Sequence, residues 1–270
     1  MLKQRIMTGA GLTIGISFVL LLSGTPWLLK FVSVILSIMA AYELCRTAGC
    51  LNNKKSTCCL LAAAIMLSLC SSARLAGLIF GIGMIAGVYL MKKIRTMKKI
   101  PYWMLVLVIV MVAQSFGMMM DLRSMENGFF LLVMTILIPV MTDIGAYCFG
   151  RCMGKHKLAP IISPKKTWEG SVGGTACTVV ILLGVATLLD ANAIIQVRFP
   201  YFAVYLLIAS CIAQFGDLTF SAVKRIAGIK DYGTLLPGHG GILDRFDSMI
   251  LVIPFTVFVN QYIGPIFMAI

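Results

Sequence analysis

Apolar residues in this chain neither alternate nor mark a single helical stripe; they form long runs. Stretches approaching twenty apolar residues recur along the sequence, near 6–23, 27–44, 57–71, 75–91, 102–120, 129–149, 172–189, 199–224 and 248–267. Such a run matches the roughly 20 residues that a helix needs to cross a bilayer core of ~30 Å. Backbone groups in hydrocarbon must be satisfied within the segment. The runs are also too long and uniform for the alternating strands of a barrel, so each is expected to be a helix. The pattern predicts an all-α, polytopic integral membrane protein with about nine transmembrane helices. Residues 1–128 hold about five of the spans, and residues 129–270 hold the rest together with two polar-rich loops, 150–171 and 225–247.

Composition agrees: 60% of the 270 residues are hydrophobic, only 12% are charged, and mean hydropathy is +0.97. A soluble core could not hide that much apolar surface. In a soluble chain the net charge of +13 would point to nucleic acid; here it reports topology. With the N-terminus placed in the cytoplasm, all of the 23 Lys and Arg residues except Lys30, Arg74, Arg123 and Arg198 fall on cytoplasmic segments. That bias follows the positive-inside rule and puts both polar loops where nucleotides are found. The expected location is a cell membrane of bacterial plasma-membrane type, crossed many times, with the chemistry facing inward.

The N-terminal run has a basic start like a signal peptide. No convincing small-x-small cleavage site follows it, so it reads as an uncleaved first helix. Glu43 closes the second span and reads as an interfacial acid beside Arg46. The small-residue pairs Gly11/Gly15, Gly77/Gly81 and Gly83/Gly87 read as helix packing. The run from Lys92 to Lys99 is either a topology anchor or a seat for anionic lipid headgroups. Nine cysteines, an odd number lying mostly within spans, suggest small apolar residues and no disulfide framework. Cys148, Cys152 and His156 match no zinc pattern.

Charge gathers at two places. Asp143 sits inside an apolar run near its cytoplasmic end, where an ionisable group costs at least ~2.5 kcal/mol unless paired or hydrated. It is followed by a loop holding Lys165 and Lys166 with the hydroxyls of Ser163, Thr167 and Ser171, and Gly170, Gly173 and Gly174 open the next helix. Bases and backbone amides at a helix N-terminus make a cradle for polyphosphate. GRCMGKH is one residue short of a P-loop, with no Ser or Thr after the lysine. The second cluster begins with Asp217, Ser221 and Lys224, whose spacing puts acid, hydroxyl and base on one helix face. It continues through Arg225, Lys230, His239, Gly240 and Gly241 to Asp244, Arg245 and Asp247, with Asp244 and Asp247 one turn apart. Carboxylates from three helix ends, Asp143, Asp217 and Asp244, could converge on hard cations, and oxygen ligands around a polyphosphate favour magnesium. For His239, phosphate contact, proton shuttling and a structural role all stay open.

SAVKRIAGIKDYGTLLPGHGGILDRFD resembles the signature of the phosphatidate cytidylyltransferases, also called CDP-diacylglycerol synthases. TDIGAYCFGRCMGKHKLAPIISPKKTWEGSVGG and QFGDL resemble that family's other characteristic segments, and the likeness covers about the C-terminal half. The resemblance implies transfer of CMP from CTP to phosphatidate, giving CDP-diacylglycerol and pyrophosphate with magnesium. It also implies a nine-helix membrane enzyme, and it admits a homodimer and a potassium ion beside the magnesium. It makes Asp217 and Asp244 the metal ligands, with Asp143 a further acid of the site and Asp247 a fourth. Two other classes stay in view. A transporter or channel would also bury acids among small residues, and a lipid or polyprenol kinase would share bases, metal and a membrane-bound acceptor. The D-G-x-x-A-R pattern of the CDP-alcohol transferases is absent.

Overall fold

The computed structural model describes residues 2–235 and 240–268. In chain order the elements are α1 (Leu2–Leu21), α2 (Pro26–Thr47), α3 (Lys54–Leu69), α4 (Ala76–Lys93), α5 (Tyr102–Ser124) and α6 (Gly128–Met153). A hairpin of β1 (Lys157–Ala159) and β2 (Ser163–Thr167) leads into α7 (Trp168–Ala191), followed by β3 (Gln196–Val197) and α8 (Phe199–Ile226). The chain continues with a single turn, α9 (Leu243–Phe246), then α10 (Met249–Phe258), which a π-helical turn prolongs from Val259 to Ile263, and β4 (Phe267–Met268). Six helices among the described residues are long and apolar enough to cross a membrane: α2, α4 with the turn before it, and α5 to α8. Gly9–Leu21 and Met249–Ile263 are shorter apolar helices.

Two small sheets interrupt the expected all-helical pattern. In the first, β1 and β2 pair antiparallel with Lys157 opposite Thr167 and Ala159 opposite Ser163, so the segment expected as a loop over 150–171 holds a hairpin. In the second, β3 pairs with β4 and ties the chain's last described residues to the α7–α8 connection. The last helix is accordingly shorter than the run at 248–267 implied. It also contains Pro254, which cannot donate a backbone hydrogen bond to the carbonyl of Ile250. The Ser115 hydroxyl on α5 supplies that bond at 2.7 Å, as a buried carbonyl in an apolar bundle requires.

Close helix approach rests on some of the glycines the sequence marks and not on others. A Cβ at Gly77 would meet the Phe258 ring at 2.9 Å, and Gly83 and Gly87 back directly onto Leu251 and Thr219, while Gly11, Gly15 and Gly81 have nothing within 4 Å. The tightest backbone seam joins α6 to α7. A Cβ on Gly174 would stand 2.6 Å from the Thr142 carbonyl oxygen and 2.8 Å from the Ala146 nitrogen, neither of which can turn aside. A hydroxyl ladder runs beside this seam: Thr142 meets Thr178 at 3.0 Å and Ser210 at 2.8 Å, and Ser210 reaches Thr175 at 3.1 Å, linking α6, α7 and α8. Gly174→Val is therefore expected to lower stability by about 1–3 kcal/mol through overpacking. The control is Gly184→Ala, a site with open space around it. Melting of both variants in detergent checks this, and equal midpoints would contradict it.

Candidate active site

The C-terminal end of α6, the β1–β2 hairpin, the start of α7 and the C-terminal half of α8 enclose a cavity of about 160 Å³. Its lining includes Asp143, Tyr147, Lys165, Lys166, Thr167, Gly170, Ser171 and Gln214. The hairpin holds its shape through Glu169. This carboxylate accepts from the backbone amides of Lys155 at 3.1 Å and His156 at 3.2 Å, and from His156 Nδ1 at 2.6 Å. Thr167 caps α7 by accepting from the Gly170 amide at 3.1 Å. Gln214 is held by Ser171 and by the Thr175 hydroxyl, its Nε2 donating to the latter at 2.9 Å.

Lys166 crosses from the hairpin to pair with Asp217 on α8. The other oxygen of Asp217 accepts from Ser221 Oγ at 3.3 Å, which bears out the shared face read from their spacing. One turn further along α8, Lys224 donates to Asp244 Oδ1 at 2.8 Å and lies 3.8 Å from Asp247 Oδ2. The second oxygen of Asp244 accepts from two backbone amides, Tyr232 at 2.8 Å and Gly241 at 2.9 Å. Gly240 adopts φ of +86°, a region L side chains rarely enter, and a Cβ there would also press on Asp244 at 2.9 Å. Asp247 accepts from its neighbour's amide, Ser248, at 2.8 Å. Burial pushes the Asp247 carboxyl well above the usual carboxylate range, the charge of Asp217 pushes it further, and Lys224 opposes both. Tyr232 lies under Lys224, with Nζ 5.3 Å from the ring centre, and its hydroxyl donates to the Phe220 carbonyl at 2.9 Å. Burial, together with the charges of Asp247 and Asp244, holds that phenol well above its ordinary value.

Two polar groupings thus stand side by side on α8. One is the Asp143 cavity with Lys165, Lys166 and Asp217; the other is the Lys224–Asp244–Asp247 knot. Arg245 is exposed and lies within electrostatic reach of Asp143. Arg225 gives its guanidinium to the Ile162 carbonyl at 3.1 Å and the Ile229 carbonyl at 3.3 Å, tying the hairpin to the end of α8. Ser163 is half-buried on β2 and Lys230 is exposed beyond α8. His239 lies outside the described residues.

Sequence reading missed Tyr232 and Gln214, and it misassigned Glu43. Glu43 has Arg46 within electrostatic reach but is no solvent-facing acid: it is 5% exposed, and its two oxygens accept from the amides of Ile242 and Leu243 at 2.9 and 2.8 Å. A signal existed, since no other Asp or Glu precedes Asp121 in the sequence.

The donor set suits a hard divalent cation. Among the described residues no three His, Cys, Asp or Glu side chains form a metal-holding group. Magnesium needs only one or two carboxylates when substrate phosphates and water complete its shell. Asp217 already faces a cation, the Lys166 ammonium, while Asp244 accepts from Lys224 on one oxygen and from two amides on the other, which leaves a lone pair on the Lys224-bound oxygen.

An apolar groove of about 430 Å³ lies on another side of the same acidic turn. Leu20 of α1, Leu36 of α2, Met119 of α5 and Ile136 of α6 are among its walls, and it reaches Ile242, Phe246 and Met249.

A family model described as the cytidylyltransferase family matches residues 3–263. Phosphatidate cytidylyltransferases of Staphylococcus saprophyticus, Staphylococcus aureus and Staphylococcus haemolyticus are each 44% identical over 138 residues. These matches cover 51% of this chain and 52% of each relative, so the chain spans about half the length of the curated relatives it matches.

Proposed function

This chain belongs to the cytidylyltransferase family, and we propose from that premise that it transfers CMP from CTP to phosphatidate, giving CDP-diacylglycerol and pyrophosphate. The observation that carries the reading is the pairing of Lys166 with Asp217 beside the Asp143 cavity. It sets a base of the hairpin beside acids in the C-terminal halves of helices long enough to span a membrane, which supports a site shared by a water-soluble nucleotide and a bilayer-held lipid.

In the proposed reaction an oxygen of the phosphatidate phosphate attacks the α-phosphorus of CTP. The new P–O bond forms as the bond to the bridging oxygen of the β-phosphate breaks, and pyrophosphate leaves with the electron pair. The nucleophile is already anionic near neutral pH, so no strong general base is required. The protein's work is to bring two anions together in line and to balance their charge. Lys165 and Lys166 line the cavity and are proposed to take the triphosphate, with Lys224 balancing charge near Asp244 and Asp247. Ser163, Ser221, Lys230, His239, Gly240, Gly241 and Arg245 complete the proposed substrate-binding set, and Arg225 supports it through the hairpin. Asp217 and Asp244 are the proposed magnesium holders, with Asp143 and Asp247 as further acids and potassium as a second cation. The metal would screen the triphosphate and the departing pyrophosphate.

Phosphatidate keeps its chains in the bilayer, and the groove ending at Phe246 and Met249 has the apolar surface to take them. The same reading puts nine spans in a cell membrane, the N-terminus and active site facing the cytoplasm, and allows a homodimer. The test is conversion of labelled CTP into a lipid-extractable product by purified protein in detergent, omitting phosphatidate and magnesium in turn. Label should enter lipid with matching release of pyrophosphate and stop when either is left out. Turnover to CDP in place of pyrophosphate would instead assign a kinase.

A further inference from the structure

We infer that Glu43 is the positioning residue of the acid-bearing turn, a carboxylate sent from α2 to set where Asp244 and Asp247 stand. Its two oxygens take the successive amides of Ile242 and Leu243 at 2.9 and 2.8 Å. Two-point acceptance by a charged group fixes direction as well as distance. The preceding amide, Gly241, donates to Asp244 at 2.9 Å. Three consecutive amides are therefore divided between the acid being placed and the acid that places it.

The surroundings are shaped for this carboxylate. A Cβ on Gly233 would stand 2.8 Å from Glu43 Oε1, and a Cβ on Gly241 would run into both oxygens. The turn also lacks a cap of its own, since Ile242 occupies the N-cap of α9 and makes no side-chain capping bond. A short helix that needed only a cap would take one from a local Ser or Asp. Here the acceptor comes from 199 residues away, and burying a carboxylate at that distance is costly unless its hydrogen bonds are made. The backbone stays right-handed from Ile242 through Asp247 and Ser248 into α10, so rotating the first amides swings both acids relative to Lys224 and Asp217. Misplacing reacting groups by ~1 Å costs about 100-fold in rate.

Glu43→Gln tests this, because a carboxamide fills the same space but can accept from only one of the two amides. The expected result is a fall in kcat of about 100-fold with KM for CTP changed less than about threefold, together with faster hydrogen exchange at the Ile242 and Leu243 amides. Gly233→Ala keeps the carboxylate but presses on it, and should speed the same two amides; it carries the test where Glu43→Gln does not fold. A side chain that only fills space would be fully replaced by glutamine. Wild-type kcat in Glu43→Gln, or wild-type exchange at both amides in the two variants, overturns the inference. The kinetic arm rests on the proposed cytidylyl transfer and the exchange arm does not, so a wild-type protein inert toward CTP would sink that function and leave the positioning role to the exchange data.

Discussion

Asp217→Asn is expected to lower CMP transfer about 100- to 1,000-fold at saturating magnesium, the range seen when one preorganised charge-stabilising group is removed. Asp217 is the carboxylate best placed to receive a cation: one oxygen meets Lys166, the other takes the Ser221 hydroxyl at 3.3 Å, and its side chain keeps 21% of its exposure. Asparagine preserves the shape and the Ser221 contact but strips the charge that holds a cation between the cavity and the acidic turn. Because the site is partly open, the folded state should lose little. The measurement is single-turnover transfer from labelled CTP, paired with a melting curve. Wild-type turnover in a folded Asp217→Asn protein would remove Asp217 from the metal assignment and return Lys166 to a structural role.

Lys224→Met is expected to lose about 3–5 kcal/mol of stability as well as activity, because breaking a buried ion pair strands the remaining charge. The side chains are 11% exposed for Lys224, 4% for Asp244 and 10% for Asp247. Lys224 is the cation drawn between both acids, and methionine replaces its stem while leaving two carboxylates facing each other. Denaturant midpoints in detergent read the loss, and the double variant Lys224→Met with Asp247→Asn should recover part of it. Wild-type midpoints in Lys224→Met would show that the acids are balanced from elsewhere.

Six of the nine expected spans appear among the described residues as helices long enough to cross a membrane, and they were legible because lipid imposes one simple rule on long apolar runs. The run at 102–120 became Tyr102–Ser124, and the run at 199–224 became Phe199–Ile226. Helical spacing likewise gave the shared face of Asp217 and Ser221, and of Asp244 and Asp247, which Lys224 confirms by touching both. The β1–β2 hairpin was not legible. β2 is the stretch Ser163–Thr167, SPKKT, whose proline and paired lysines show no apolar alternation, and its strand form depends on its partner and on the Glu169 clamp. Lys166 was named as a phosphate ligand, but its bond to Asp217 joins two elements whose approach no local pattern encodes. Glu43 failed for a similar reason. Its partners are backbone amides, which are the same in every residue and leave no mark in the sequence.

The order of synthesis gives the Ser115–Ile250 bond a further consequence. Ser115 on α5, Gly77 and Gly83 on α4 all find their counterparts on α10 or its extension: the Ile250 carbonyl, the Phe258 ring and Leu251. As the chain emerges from the ribosome, α4 and α5 enter the bilayer long before those partners are made. Until then a hydroxyl and two bare glycine surfaces must wait beside lipid or an insertion factor. The final helix therefore acts as a latch, and nascent chains halted before residue 249 should remain loose enough for a membrane protease to remove.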